Sequence, residues 1–178
     1  ICDDIVYIDS VNGYKVTEFF EDARVCNPNN KDDVKKCMSK LKAFHDLKLK
    51  VDHQFNIFDQ IQFYERLWNG KPSIYKDYER TKKNIFQLKF YIEKHRVEEV
   101  LTHIDANPDN FLFTVVDGKE EIRMIDWEYA GMQDPHVDIA MFGIYSMYER
   151  KQMDQLIDFY FENHCNRSTR IKIYCYIA

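Results

Sequence analysis

The chain has 178 residues, with 25 basic against 30 acidic side chains and a net charge of −5. At 45% hydrophobic and 31% charged it has the composition of a globular protein long enough for one good core, and intrinsic disorder is excluded. The acidic balance argues against nucleic acid as a general partner, because phosphate binding needs a basic face, and it is compatible with a cationic substrate.

Residues 4–8 read as a strand, Asn12-Gly13 as a tight turn and residues 14–20 as the antiparallel partner. Cys26-Asn-Pro-Asn-Asn30 is loop. From Lys31, apolar Val34, Met38, Leu41 and Phe44 recur at three and four residues, so one face of a helix is buried. Asp32 and Asp33 suit its positive N-terminus, and His45 near its end reads as a surface histidine. A second helix is expected over 57–68, closed by Asn69-Gly70. A third, long helix is expected to open at Pro72-Ser73 and run to about His95, with Tyr78, Ile85, Leu88 and Ile92 in one stripe. Short strands are expected over 99–102, 111–116 and 121–125, with Asp117-Gly118 as a hairpin turn. Helices follow over 137–148 and 153–161, the latter with Met153, Leu156, Ile157 and Tyr160 inward, and another starts at Ile171. Lys35-Lys36 and Lys82-Lys83 read as solvated helix faces.

The chemistry sits between the third and fourth helices. His103-Ile-Asp105-Ala-Asn-Pro-Asp-Asn110 places a histidine, an aspartate and an asparagine in one loop, and the hairpin then returns the chain to Asp126. Phosphoryl transfer from ATP needs such a set: one carboxylate to position and deprotonate a hydroxyl, and an Asn with a second carboxylate to hold Mg²⁺. Kinase catalytic loops follow His-x-Asp-x-x-x-x-Asn, with the metal-binding Asp one hairpin later. The chain departs from a protein kinase in two ways. Ile104 replaces the Arg that would receive an activation-loop phosphate, and too few residues separate Asp126 from the next helix to build a platform for a protein substrate. The acceptor is therefore expected to be a small molecule.

The runs Leu101-Thr-His-Ile-Asp-Ala-Asn-Pro-Asp-Asn-Phe-Leu112, Met124-Ile-Asp-Trp-Glu-Tyr-Ala130 and Asp134-Pro-His-Val-Asp-Ile-Ala140 resemble the choline/ethanolamine kinases, above all the bacterial choline kinases related to aminoglycoside phosphotransferases. Gly13-Tyr-Lys-Val-Thr-Glu-Phe-Phe20 is similar to the hinge between their lobes. The resemblance implies an α+β, protein-kinase-like fold. Residues 1–20 would be a remnant of N-lobe strands and hinge, and residues 21–178 a helical C-lobe carrying the catalytic hairpin. It implies ATP:choline phosphotransfer, with Asp105 as base, His103 bracing the loop, Asn110 and Asp126 as Mg²⁺ ligands, and Glu18, Phe19 and Phe20 meeting adenine. Asp138 would position the loop by accepting its backbone N–H groups, or else serve as a helix N-terminal carboxylate. A quaternary ammonium cannot donate a hydrogen bond and is held by aromatic faces. Trp127, Tyr129, Tyr145 and Tyr148, together with Glu128, are the expected acceptor residues.

Two other classes stay open: a kinase for an aminoglycoside or sugar alcohol, and a non-catalytic binding fragment. All five glycines are isolated, so no glycine-rich phosphate loop is present, and both ends read as cut. The chain by itself is expected to be an inactive fragment. Five cysteines without a Cys-x-x-Cys pair argue against a disulfide framework or zinc site, and His164-Cys165 reads as helix surface. The sequon at Asn166 has no secretory signal beside it. No apolar run approaches the roughly eighteen residues of a membrane span. A reduced, cytoplasmic protein is expected.

Overall fold

The computed structural model describes residues 4–178; Ile1, read as lying close to the first strand, and Cys2 fall outside the described residues. The chain order is β1 (Ile5–Asp9), β2 (Tyr14–Thr17), β3 (Arg24–Val25), α1 (Lys31–Asp46), α2 (Ile57–Leu67), α3 (Tyr78–Lys94), β4 (Val100–Thr102), a 3₁₀ turn (Pro108–Asn110), β5 (Phe111–Val116), β6 (Lys119–Met124), β7 (Gly131–Gln133), α4 (His136–Tyr145), α5 (Arg150–Tyr160) and α6 (Arg167–Ile177). The strands form three small antiparallel sheets, β1-β2, β3-β5-β6 and β4-β7. The result is a helical body with an inserted hairpin and a separate N-terminal hairpin.

Helix α1 starts where Asn30 accepts the N–H groups of Asp32 and Asp33, satisfying donors that the first turn leaves orphaned. Its buried stripe of Val34, Cys37, Met38, Leu41 and Phe44 joins Leu156 and Ile157 of α5 and Phe142 of α4 in one core. At Gly143 a Cβ would meet the Met153 sulfur at 2.0 Å, so glycine is what lets α4 and α5 approach this closely. The β5–β6 turn runs through Asp117 and Gly118, both with positive φ, as a two-residue hairpin turn requires. In β1 and β2, by contrast, Ile5, Val6, Tyr7, Ile8 and Val16 all face solvent.

Several boundaries differ from the periodicity reading. Helix α3 begins at Tyr78, not near Pro72, because Pro72–Asp77 is spent on the connection that brings Trp68 against Tyr78. Helix α4 ends at Tyr145, and Met147 takes a positive φ before α5. Helix α6 starts four residues earlier than Ile171, where Asn166 caps the Thr169 N–H. Strands β3 and β7 have no local signal, being two or three residues paired to β5 and β4 far along the chain.

Candidate active site

Strand β4 delivers His103 into a loop whose backbone is held from outside. Ile104 adopts φ +69°, a left-handed conformation that is costly for a β-branched residue. The Asp138 carboxylate, fully buried at the start of α4, offsets that cost: it accepts the Ile104 N–H at 2.7 Å and the His103 N–H at 2.9 Å. Further along, Asn107 accepts the Asp109 and Asn110 N–H groups and starts the 3₁₀ turn, with Pro108 at its first position. That turn aims the Asn110 amide back at Asp105, donating to its carbonyl at 2.9 Å and to Oδ2 at 3.0 Å. The same Oδ2 accepts from Asn107 at 3.1 Å. One carboxylate oxygen of Asp105 is thus pinned by two amide donors.

The hairpin brings the second carboxylate home. Phe111 pairs with Met124, and the Ile125 N–H donates to the Asn110 carbonyl at 3.0 Å, so Asp126 follows one residue after the bond that joins hairpin to loop. Asp126 also has a positive φ, +62°, and is exposed. His103 is buried; its Nε2–H donates to the Ile125 carbonyl at 2.8 Å and ties loop to hairpin, while Nδ1 finds no partner among the described residues. Asp109 stays exposed.

The expected acceptor residues divide into two groups. Tyr129, Glu128 and Tyr145 are exposed; both tyrosines feel the Asp105 carboxylate, and Glu128 neighbours Tyr129. Burial and then the nearby Asp105 carboxylate push the Tyr145 hydroxyl up, and the Glu128 charge, followed by Tyr64 and Asp105, does so at Tyr129. Trp127 and Tyr148 instead have packing roles. The Trp127 ring lies 4.5 Å from that of His103 and edge-on to Phe44, and its N–H donates to the Met124 carbonyl. Tyr148 donates to the Pro28 carbonyl and lines a small depression between α1 and α5. Near the N-terminal hairpin, Glu18 and Phe19 are exposed, and Phe20 lies under the Arg123 guanidinium at 4.7 Å.

Three participants escaped the sequence reading. Tyr64 on α2 reaches the electrostatic neighbourhood of Tyr129. His45 is not a surface histidine: it is buried, with Nε2 3.0 Å from Asp138 Oδ2 and Nδ1 2.8 Å from the Tyr160 hydroxyl. It therefore braces from α1 and α5 the carboxylate that holds the loop. Lys172 on α6 is also fully buried, donating to Asp134 Oδ2 at 2.5 Å and to the His95 carbonyl at 3.0 Å. Burial raises the Asp134 carboxyl, but the His136 ring and Lys172 outweigh it and hold the group down at about 2. Asp134 accepts the His136 N–H, so this cluster fixes the entry to α4, about one turn before Asp138. The lysine could not be foretold, because its carboxylate partner lies 38 positions back in the chain.

Comparison with known proteins places this geometry. The phosphotransferase enzyme family (APH) matches residues 22–170. Protein LicA of Haemophilus influenzae is 25% identical over 168 residues, covering 92% of this chain and 60% of that protein. The crystal structure of choline kinase LicA from Streptococcus pneumoniae superposes with a TM-score of 0.82 at 26% identity, over 98% of this chain and 61% of that one. A crystal structure of LicA in complex with AMP gives 0.81 at 25% identity, with 98% and 60% coverage. The fold is thus the protein-kinase-like α+β fold of those enzymes, and the chain spans about 60% of the length of these relatives.

Proposed function

The chain belongs to the phosphotransferase enzyme family, and from that premise we propose that it transfers the γ-phosphoryl group of ATP to the hydroxyl of choline, or of ethanolamine. The observation that carries this reading is the Asp105 carboxylate, pinned on one oxygen by Asn110, with exposed Tyr129 and Tyr145 within its electrostatic reach and Glu128 beside Tyr129. LicA of Streptococcus pneumoniae is a choline kinase and a LicA structure holds AMP, which supports both the acceptor and the nucleotide.

Asp105 takes the hydroxyl proton as the acceptor oxygen approaches the phosphorus. Its pinned oxygen fixes the carboxylate plane, and the other oxygen receives the proton. Tyr129 and Tyr145 offer ring faces to the ammonium group, and Glu128 offsets its charge. Glu18, Phe19 and Phe20 would meet adenine. The residues fit Mg²⁺: the Asn110 Nδ2 is spent on Asp105, which would leave its Oδ1 as the donor atom, and the exposed Asp126 carboxylate would be the second ligand. When bound, the ion neutralises charge on the phosphates.

The reading is proposed for a protein of its relatives' length. The 178 residues carry no glycine-rich loop, the element that grips the phosphates in kinases, and by themselves are proposed to be inactive. The test is ADP release with choline, ethanolamine and an aminoglycoside in turn. Choline or ethanolamine should stimulate it, and Asp105→Asn should lower turnover by about 10²–10⁴-fold with nucleotide affinity unchanged. Stimulation by the aminoglycoside alone, or near-normal turnover of the variant, would overturn the assignment.

A further inference from the structure

The connection from α2 to α3 concentrates features that the phosphotransfer site does not use. Residues 66–76 contain Arg66, Lys71 and Lys76 and no acidic residue, in a chain of net charge −5. Interleaved with them, Leu67 is 59% exposed, Ile74 88% and Tyr75 69%. Trp68, Pro72, Ile74, Tyr75 and Tyr78 line an open, largely apolar depression of about 390 Å³. Single exposed apolar side chains are ordinary, but a contiguous group of them marks an interaction surface.

The tip is firmly built. Trp68 packs on Tyr78 at 5.0 Å, and the Tyr78 hydroxyl and Lys82 ammonium both donate to Glu65, at 2.8 and 2.6 Å. That engages the nearest carboxylate on α2, while Arg66, Lys71 and Lys76 form no ion pair among the described residues. The exposed apolar groups are therefore held out by a stitched framework, with cations beside them that form no ion pair among the described residues.

We infer that this tip docks peripherally on an anionic phospholipid surface. Trp and Tyr sit well at the headgroup level, where one part of the ring is wet and the rest apolar. Ile74 and Leu67 would enter the acyl boundary, and the three cations would meet lipid phosphates and carboxylates. A second copy of the chain is a poorer occupant, because it would bring three like charges against three. An acidic polymer would use the cations and leave the apolar side chains in water. The inference does not rest on the phosphotransfer reading, since none of the residues assigned to nucleotide, metal or acceptor lies in 66–76.

The test is co-sedimentation of the purified chain with phosphatidylcholine vesicles, with or without phosphatidylserine. Phosphatidylserine should raise the bound fraction about tenfold at physiological salt, with release at high salt as the charges are screened. The pairs Lys71→Glu/Lys76→Glu and Ile74→Ser/Tyr75→Ser should each lower binding about tenfold, and because all four residues are exposed the circular dichroism should stay unchanged. Equal binding to both vesicles, or undiminished binding of either variant, overturns the inference. So does vesicle-free dimerisation that Ile74→Ser/Tyr75→Ser abolishes, which would assign a second copy. Binding to polyglutamate that ignores the apolar pair would assign an acidic macromolecule instead.

Discussion

The loop around Asp105 and the β1–β2 hairpin solve opposite problems. The loop buries polar groups: Asp138, His45, His103 and Asn110 are all nearly inaccessible, bonds from α4 and the β6 exit hold the eight residues 103–110, and His45 of α1 braces Asp138 behind them. The hairpin exposes apolar groups and is held by its own ladder and by Asp9, which accepts the Val11 and Asn12 N–H groups. Burying a charge is tolerable only when every partner is present, so loss of one partner is expensive, whereas an exposed side chain costs little to change. The loop should therefore be rigid and intolerant, and the hairpin forgiving.

The largest effect should come from Asp138→Ala. It strands two buried backbone donors and His45 at once, and should cost about 3–5 kcal/mol in denaturant unfolding, a large share of ordinary domain stability. A loss under about 1 kcal/mol would mean that the loop holds its own shape. Lys172→Ala should approach the same cost by leaving Asp134 buried without its cation, and Lys172→Met/Asp134→Leu together should recover most of it. A double variant as unstable as the single one would show that packing of α6, not charge pairing, is what matters.

Acid sharpens the same contrast. The Asp134 carboxyl is depressed to about 2 in the folded protein from 3.8, so its contribution is fully present above the unfolded value. It is lost as pH falls from about 4 towards 2, amounting to about 2 kcal/mol. Unfolding midpoints between pH 5 and 2 should show that loss, and it should vanish in an Asp134→Asn background. The smallest effect is expected at the hairpin, where Val6→Ser should change stability by no more than about 0.5 kcal/mol. A larger cost would show that β1 is covered in solution.

Local code determined much of this molecule. The stripe in α1, the Asp117-Gly118 turn and the pairing of β5 with β6 follow from side-chain period and backbone preference, which act over a few residues. The spacing of Asp105 and Asn110 likewise holds both in one short loop, so their hydrogen bond needs little beyond the 3₁₀ turn. What the sequence could not supply is who meets whom across the chain. His45 looked like a helix-end surface residue because its partners Asp138 and Tyr160 lie 93 and 115 positions away. Lys172 drew no reading for the same reason, its carboxylate being 38 positions back. Trp127 and Tyr129 are two residues apart and chemically alike, yet one ring packs against His103 and the other stands exposed near Asp105. Burial is a property of the assembled helices, and only their packing decides which polar side chain becomes a support and which aromatic remains free to meet a ligand.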